Sequence, residues 1–134
     1  MAGRVALDTT FLIDLQRERL RGEADGAAHT FLRAAPELEL LLPVTVLGEF
    51  AEGFEQNEHP MLRAVRELHT LLNVDEAAAL LYGRITRALR ERGALIGTND
   101  LWIAATCVSH DVPLVTANVA HFRRVPDLEV IGYR

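Results

Sequence analysis

A chain of 134 residues has the length of one domain and can bury a core unaided; with 49% hydrophobic and 25% charged residues it is neither disordered nor fibrous in composition. All 14 basic residues are Arg, and the absence of Lys excludes a P-loop, a Schiff-base enzyme and a phospho-receiver domain, each of which gives a lysine a chemical role. A formal net charge of −5 argues against a broad basic face that coats nucleic acid, so any such contact is expected to be local.

The pattern along the chain alternates strand and helix. It predicts an α/β fold of one domain over residues 1–134, with a central, mostly parallel sheet of four or five strands flanked by helices. Arg4–Leu7 reads as a short apolar strand ending at Asp8. Phe11, Leu12 and Leu15 then predict a helix over 9–15. Residues 17–26, charged and punctuated by glycine, are expected to be flexible. A short helix over 27–35 is closed by Pro36, and residues 39–42 fit a second strand. Helices are expected over about 45–55 and over 60–72, the latter with Leu62, Val65, Leu68, Leu71 and Leu72 on one side. Val74 starts a short strand segment or a turn. From Asp75 to Arg92 an acidic N-cap, apolar residues at helical spacing, arginines in the last turn and Gly93 as a stop predict the most clearly bounded helix. Residues 99–110 read as a helix apolar nearly all round and therefore buried. Strands follow at 113–116 and at 128–131, the last at an edge.

Apolar runs such as 38–48 are interrupted by Glu39 and Pro43 and fall short of the roughly 18 to 20 residues a membrane span needs. Residues 1–8 lack the features of a secretory signal, so a cytoplasmic location is expected. Cys107 is the single cysteine, which excludes an intramolecular disulfide and a thiolate metal cluster, and its apolar surroundings mark it as a small buried hydrophobe.

Three acids fall where open α/β sheets build their sites, beyond the carboxyl ends of strands. Asp8 ends the first strand, Asp100 opens the buried helix, and Glu49 lies one helix on from the second strand, on a polar side shared with Thr45 and Glu52. Converging carboxylates repel unless a hard cation neutralises them, and oxygen ligands alone favour Mg²⁺ or Mn²⁺ over zinc. Each acid also has a simpler explanation. Asp8 and Asp100 both stand where helix N-caps occur, and Glu49 alone is an ordinary solvated helix residue.

The segment Leu7-Asp8-Thr9-Thr10-Phe11-Leu12-Ile13-Asp14 resembles the opening strand and turn of PIN-domain nucleases, especially the VapC toxins of bacterial toxin–antitoxin pairs. Pro43-Val44-Thr45-Val46-Leu47-Gly48-Glu49-Phe50 is similar to the stretch around that family's second acid. Residues 92–105, with Thr98-Asn99-Asp100-Leu101-Trp102 at their centre, resemble its most distinctive stretch, and Leu114-Val115-Thr116-Ala117-Asn118-Val119-Ala120-His121-Phe122 its closing motif. Asn118 departs from the family's four-acid form, in which an aspartate stands there.

The resemblance implies Mg²⁺-dependent hydrolysis of RNA phosphodiesters, with Mn²⁺ as a substitute metal. Asp8 and Asp100 would be direct ligands and Glu49 a ligand through water or a partner of the nucleophile. Thr9, Thr116, Asn118 and Arg84 would contact substrate or support the ligands, and His121 would be a substrate contact at most. It further implies a homodimer neutralised by a small antitoxin protein. Arg84, Arg87 and Arg90 share one helix face, and Arg123 and Arg124 follow the closing motif, so both groups are candidates for RNA phosphate contact. Two other readings are a PIN-fold processing or DNA-directed nuclease and a non-catalytic binding module. Thr10 excludes a haloacid-dehalogenase-type phosphatase, which needs an aspartate at that position.

Overall fold

Strand β1 (Arg4–Leu7) carries Val5, Ala6 and Leu7, all buried, because it runs through the middle of a sheet covered on both faces. The computed structural model describes residues 3–134; Met1 and Ala2, which begin the N-terminal segment read above for a signal, lie outside the described residues. Chain order is β1, α1 (Thr9–Arg21), α2 (Ala27–Ala34), β2 (Glu39–Pro43), α3 (Val44–Ala51), α4 (Pro60–Leu68), β3 (Thr70–Leu72), α5 (Glu76–Glu91), α6 (Thr98–Ser109), β4 (Leu114–Thr116), α7 (Val119–Phe122) and β5 (Val130–Gly132). The strands form one five-stranded sheet in the order β3-β2-β1-β4-β5, every pairing parallel.

Three expectations need correction. The first concerns residues 17–26, expected to be flexible. Helix α1 instead continues through Arg21, and Gly22 caps it at φ 67°, a left-handed conformation glycine adopts without strain. The buried Glu18 carboxylate then accepts the Ala28 and His29 amides at 3.0 Å each and starts α2. The charged run is closed by cap bonds that reach from Glu18 over the turn to the start of α2.

The second correction is the single helix expected over 60–72. Helix α4 stops at Leu68, and His69 turns to extended backbone with φ −124° and ψ 145°. Thr70, Leu71 and Leu72 pair with Leu41, Leu42 and Pro43 of β2, which would otherwise present a bare edge. Leu62, Val65 and Leu72 are buried, whereas Leu68 is 77% exposed, so the apolar residues read as one stripe belong to two elements. The strand segment considered to start at Val74 instead starts at Thr70 and ends at Leu72, before Val74 is reached. Thirdly, α3 is shorter than expected, ending at Ala51, and β5 begins at Val130.

Helix α5 matches its predicted limits closely. Asp75 Oδ1 accepts the Ala78 amide at 2.8 Å, and Gly93 ends the helix at φ 63°. Helix α6 buries Leu101, Ile103, Ala104, Ala105, Thr106 and Cys107, and burial raises the Cys107 thiol far above its ordinary value. Thiolate chemistry is thereby suppressed at that position. At the far edge β5 is followed by Tyr133, whose hydroxyl donates to Asp14 Oδ2 at 2.6 Å and whose ring meets Phe11 edge-on. No helix among the described residues is long and apolar enough to cross a membrane.

Candidate active site

Successive strands β1, β2 and β3 build outward to one side, and the chain then returns to add β4 and β5 on the other side of β1. The order reverses between β1 and β4, and in open parallel sheets the crevice outside the strand ends at that reversal is where ligands bind. Asp8 occupies it. Its amide donates to the Val115 carbonyl at 3.0 Å, continuing the β1–β4 pairing to the strand's last residue. The side chain is 3% exposed, with Oδ1 accepting the Thr9 amide at 2.8 Å and Oδ2 accepting the hydroxyls of Thr116 at 2.7 Å and Thr10 at 3.1 Å. Asp8 is therefore the N-cap of α1 and the floor of the crevice together.

Glu49 reaches the same place from α3. Its Oε1 accepts the Thr9 hydroxyl at 2.7 Å and its Oε2 the Asn99 amide at 3.4 Å. Asp100 lies in the first turn of α6, whose N-cap is Gly97, so the capping explanation does not apply to it. Its Oδ2 is 3.0 Å from Nε2 of His121. Burial pushes the Asp8 carboxyl above its ordinary value, the bonds from Thr116, Thr9 and Thr10 oppose this, and the charge of Asp100 adds to it. Burial likewise raises Asp100, His121 opposes, and the charge of Glu49 adds. The charge of Asp100 thus reaches Asp8, and that of Glu49 reaches Asp100, across the crevice.

Of the residues singled out in the sequence, Asp8, Thr9, Glu49, Asp100 and Thr116 are gathered here. Asn118 follows through its backbone: its amide donates to Thr116 Oγ1 at 3.0 Å, one bond from Asp8, while its side chain is exposed. Arg84 is not brought in. It is exposed on α5, and no hydrogen bond or ion pair among the described residues joins it to the acids. Its neighbour Arg87 bonds Glu91, and Arg124 donates to the Leu95 carbonyl at 3.3 Å, so the two arginine groups are partly engaged elsewhere. Sequence reasoning missed Thr10 and Asn99 as partners of Asp8 and Glu49. It also assigned His121 no role on a carboxylate. The available signal was adjacency, since Thr10 and Asn99 flank recognised motif residues.

Among the described residues no group of three or more His, Cys, Asp or Glu side chains stands close enough together to hold a metal ion as the side chains are placed. The donor set nonetheless fits a hard cation. Every candidate ligand is oxygen, and Asp8 Oδ1 has accepted only one hydrogen bond, leaving a lone pair free. Burial first, and then a neighbouring acid, raise the carboxyls of Asp8 and Asp100, and a cation bound between them would favour their ionised forms.

Fold and crevice together define an α/β domain with acids gathered at the reversal of its parallel sheet: the family model of the PIN domain matches residues 5–128, and the chain belongs to that family. It is 32% identical over 128 residues to ribonuclease VapC1 of Haemophilus influenzae strain R2866, covering 92% of each chain. Ribonuclease VapC1 of Methanocaldococcus jannaschii is 30% identical over 125 residues, which cover 92% of this chain and 82% of the relative. Among solved structures, VapBC-1 from nontypeable Haemophilus influenzae superposes with a TM-score of 0.76 at 30% identity, over 99% of this chain and 98% of that one.

Proposed function

We propose that this chain is a metal-dependent endoribonuclease, the toxin of a toxin–antitoxin pair, acting in the cytoplasm as a homodimer held inactive by a small antitoxin protein. The observation that carries the reading is the convergence of Asp8, Glu49 and Asp100 at the β1–β4 reversal. That the relatives are named ribonucleases supports RNA as the substrate.

Asp8 and Asp100 would hold Mg²⁺ or Mn²⁺, with Glu49 beside them. When bound, the metal supplies a Lewis acid for the phosphate and lowers the pKa of water beside it. Glu49, steadied by Thr9 and Asn99, orients the attacking water and receives its proton. Thr116 and Thr10 fix the Asp8 carboxylate so that its remaining lone pair keeps one direction. As the water oxygen joins phosphorus, the P–O bond to the departing ribose oxygen breaks and that oxygen is protonated from solvent. Arg84 contacts an RNA phosphate away from the reacting centre.

Expression of the chain alone is expected to arrest growth, and co-expression of its antitoxin to restore it. Normal growth under strong induction of soluble protein would sink the toxin role, and a monomer by light scattering at micromolar concentration would sink the dimer. The exposed leucines Leu20, Leu68 and Leu80 supply apolar surface for such contacts.

Asn118 tests the ligand count. Three carboxylates leave the cluster near −1 with one divalent cation, and a second cation would make it positive before phosphate arrives. Asn118→Asp is expected to tighten Mn²⁺ binding, roughly tenfold, by adding a charged ligand. Asn118→Ala should cost clearly less activity than Asp8→Asn. Calorimetric titration of the variants decides it, and unchanged affinity in Asn118→Asp would place position 118 away from the metal.

A further inference from the structure

His121 belongs to no carboxylate set, yet its Nε2 lies 3.0 Å from Asp100 Oδ2, and both side chains are half-buried. An ionised aspartate only accepts, so Nε2 carries the proton in this bond. The two residues sit on different elements, and the spacing of those elements is set without them. Phe122, fully buried, roots α7 in the core, and Val125 is buried just after it. Arg92 donates to the Arg124 carbonyl at 2.6 Å and Arg124 to the Leu95 carbonyl, tying the segment after α7 to the turn before α6. The imidazole also stands edge-on to Phe122, with centroids 5.8 Å apart at 89°. The ring is aimed at Asp100 by a frame whose contacts are separate from that bond.

We propose that His121 is a positioning residue for Asp100: its bond to Oδ2 holds the carboxylate in one orientation and leaves Oδ1 as the oxygen offered to the divalent cation. This rests on the metal-dependent reading above. Asp100 feels the like charge of Glu49 and itself bears on Asp8, so a carboxylate without a fixed donor gains by rotating away from the crevice toward water. A donor anchored through Phe122 opposes that rotation, as partners of metal-ligating carboxylates do elsewhere.

The test is calorimetric Mn²⁺ titration of the full chain, with thermal melts, on wild type and on His121→Ala, His121→Leu and His121→Gln. Leu keeps bulk against Phe122 without a donor, and Gln keeps a donor of similar reach. Both donor-free variants are expected to weaken Mn²⁺ roughly 10 to 100-fold. Gln should restore most of the affinity, while melting temperatures stay close to wild type. If wild type binds Mn²⁺ and the donor-free variants bind it equally well, this role is overturned and the metal reading stands. A loss that Gln does not restore also overturns it, assigning the effect to packing. If wild type itself binds no Mn²⁺, the metal reading falls and this role with it.

Discussion

Asp8→Asn and Asp100→Asn are each expected to lower RNA cleavage by at least about 10³-fold, the several kcal/mol a metal supplies to the transition state, while leaving the protein folded. Asn caps a helix as well as Asp does, so if Asp8 served only α1, activity would stay near normal. The pH dependence of stability gives a second reading of the same variants. Burial first, and then the charge of Asp100, hold the Asp8 carboxyl above its ordinary value. The folded, metal-free protein therefore binds this proton more tightly than the unfolded chain does. Stability must then fall as pH rises from the ordinary aspartate value through the raised one, and level off above it. Asp8→Asn has no such proton to lose, and its metal-free melting temperature should decline less over that window. Cleavage assays and melts across pH check both parts. Near-normal cleavage by either variant would remove that residue from the ligand set.

Removing divalent metal is expected to abolish cleavage, and restoring it to stabilise the fold. A ligand that binds only the folded state adds about 2.7 kcal/mol at 100 times its dissociation constant. For a domain of this size that corresponds to a rise in melting temperature of roughly 10 °C. The rise should be greatest near neutral pH, where Asp8 and Asp100 are both ionised and their repulsion is relieved by the cation. It should be strongly reduced in Asp100→Asn. Undiminished cleavage in excess chelator, or identical melts with and without Mn²⁺, would overturn the metal-dependent reading.

Local signals in the chain were enough to place most elements. Asp75 and Gly93 bound α5 because a cap and a left-handed stop act on neighbours a few residues away. The acids Asp8, Glu49 and Asp100 were visible through the motifs around them, and Asp8 through its position at a strand end. Where the reading failed, the deciding partner lay outside the stretch being read. The stretch over 60–72 has helical periodicity, but Thr70–Leu72 became a strand because β2 lacked a neighbour. Residues 17–26 look mobile by composition, but Glu18 reaches the amides of Ala28 and His29.

The same division holds at the site. By itself, the sequence determined the fold class and the chain's family resemblance and singled out the three acids as candidates, because periodicity, turn chemistry and motif residues are properties of short segments. Only the tertiary structure decided that Thr116 and Thr10 share one Asp8 oxygen, that Asn99 and Thr9 hold Glu49, that His121 bonds Asp100, and that Arg84 stands apart. Those contacts join residues up to 108 positions apart, and they exist because the sheet order reverses at β1 and β4, a property of strand pairing across the whole domain.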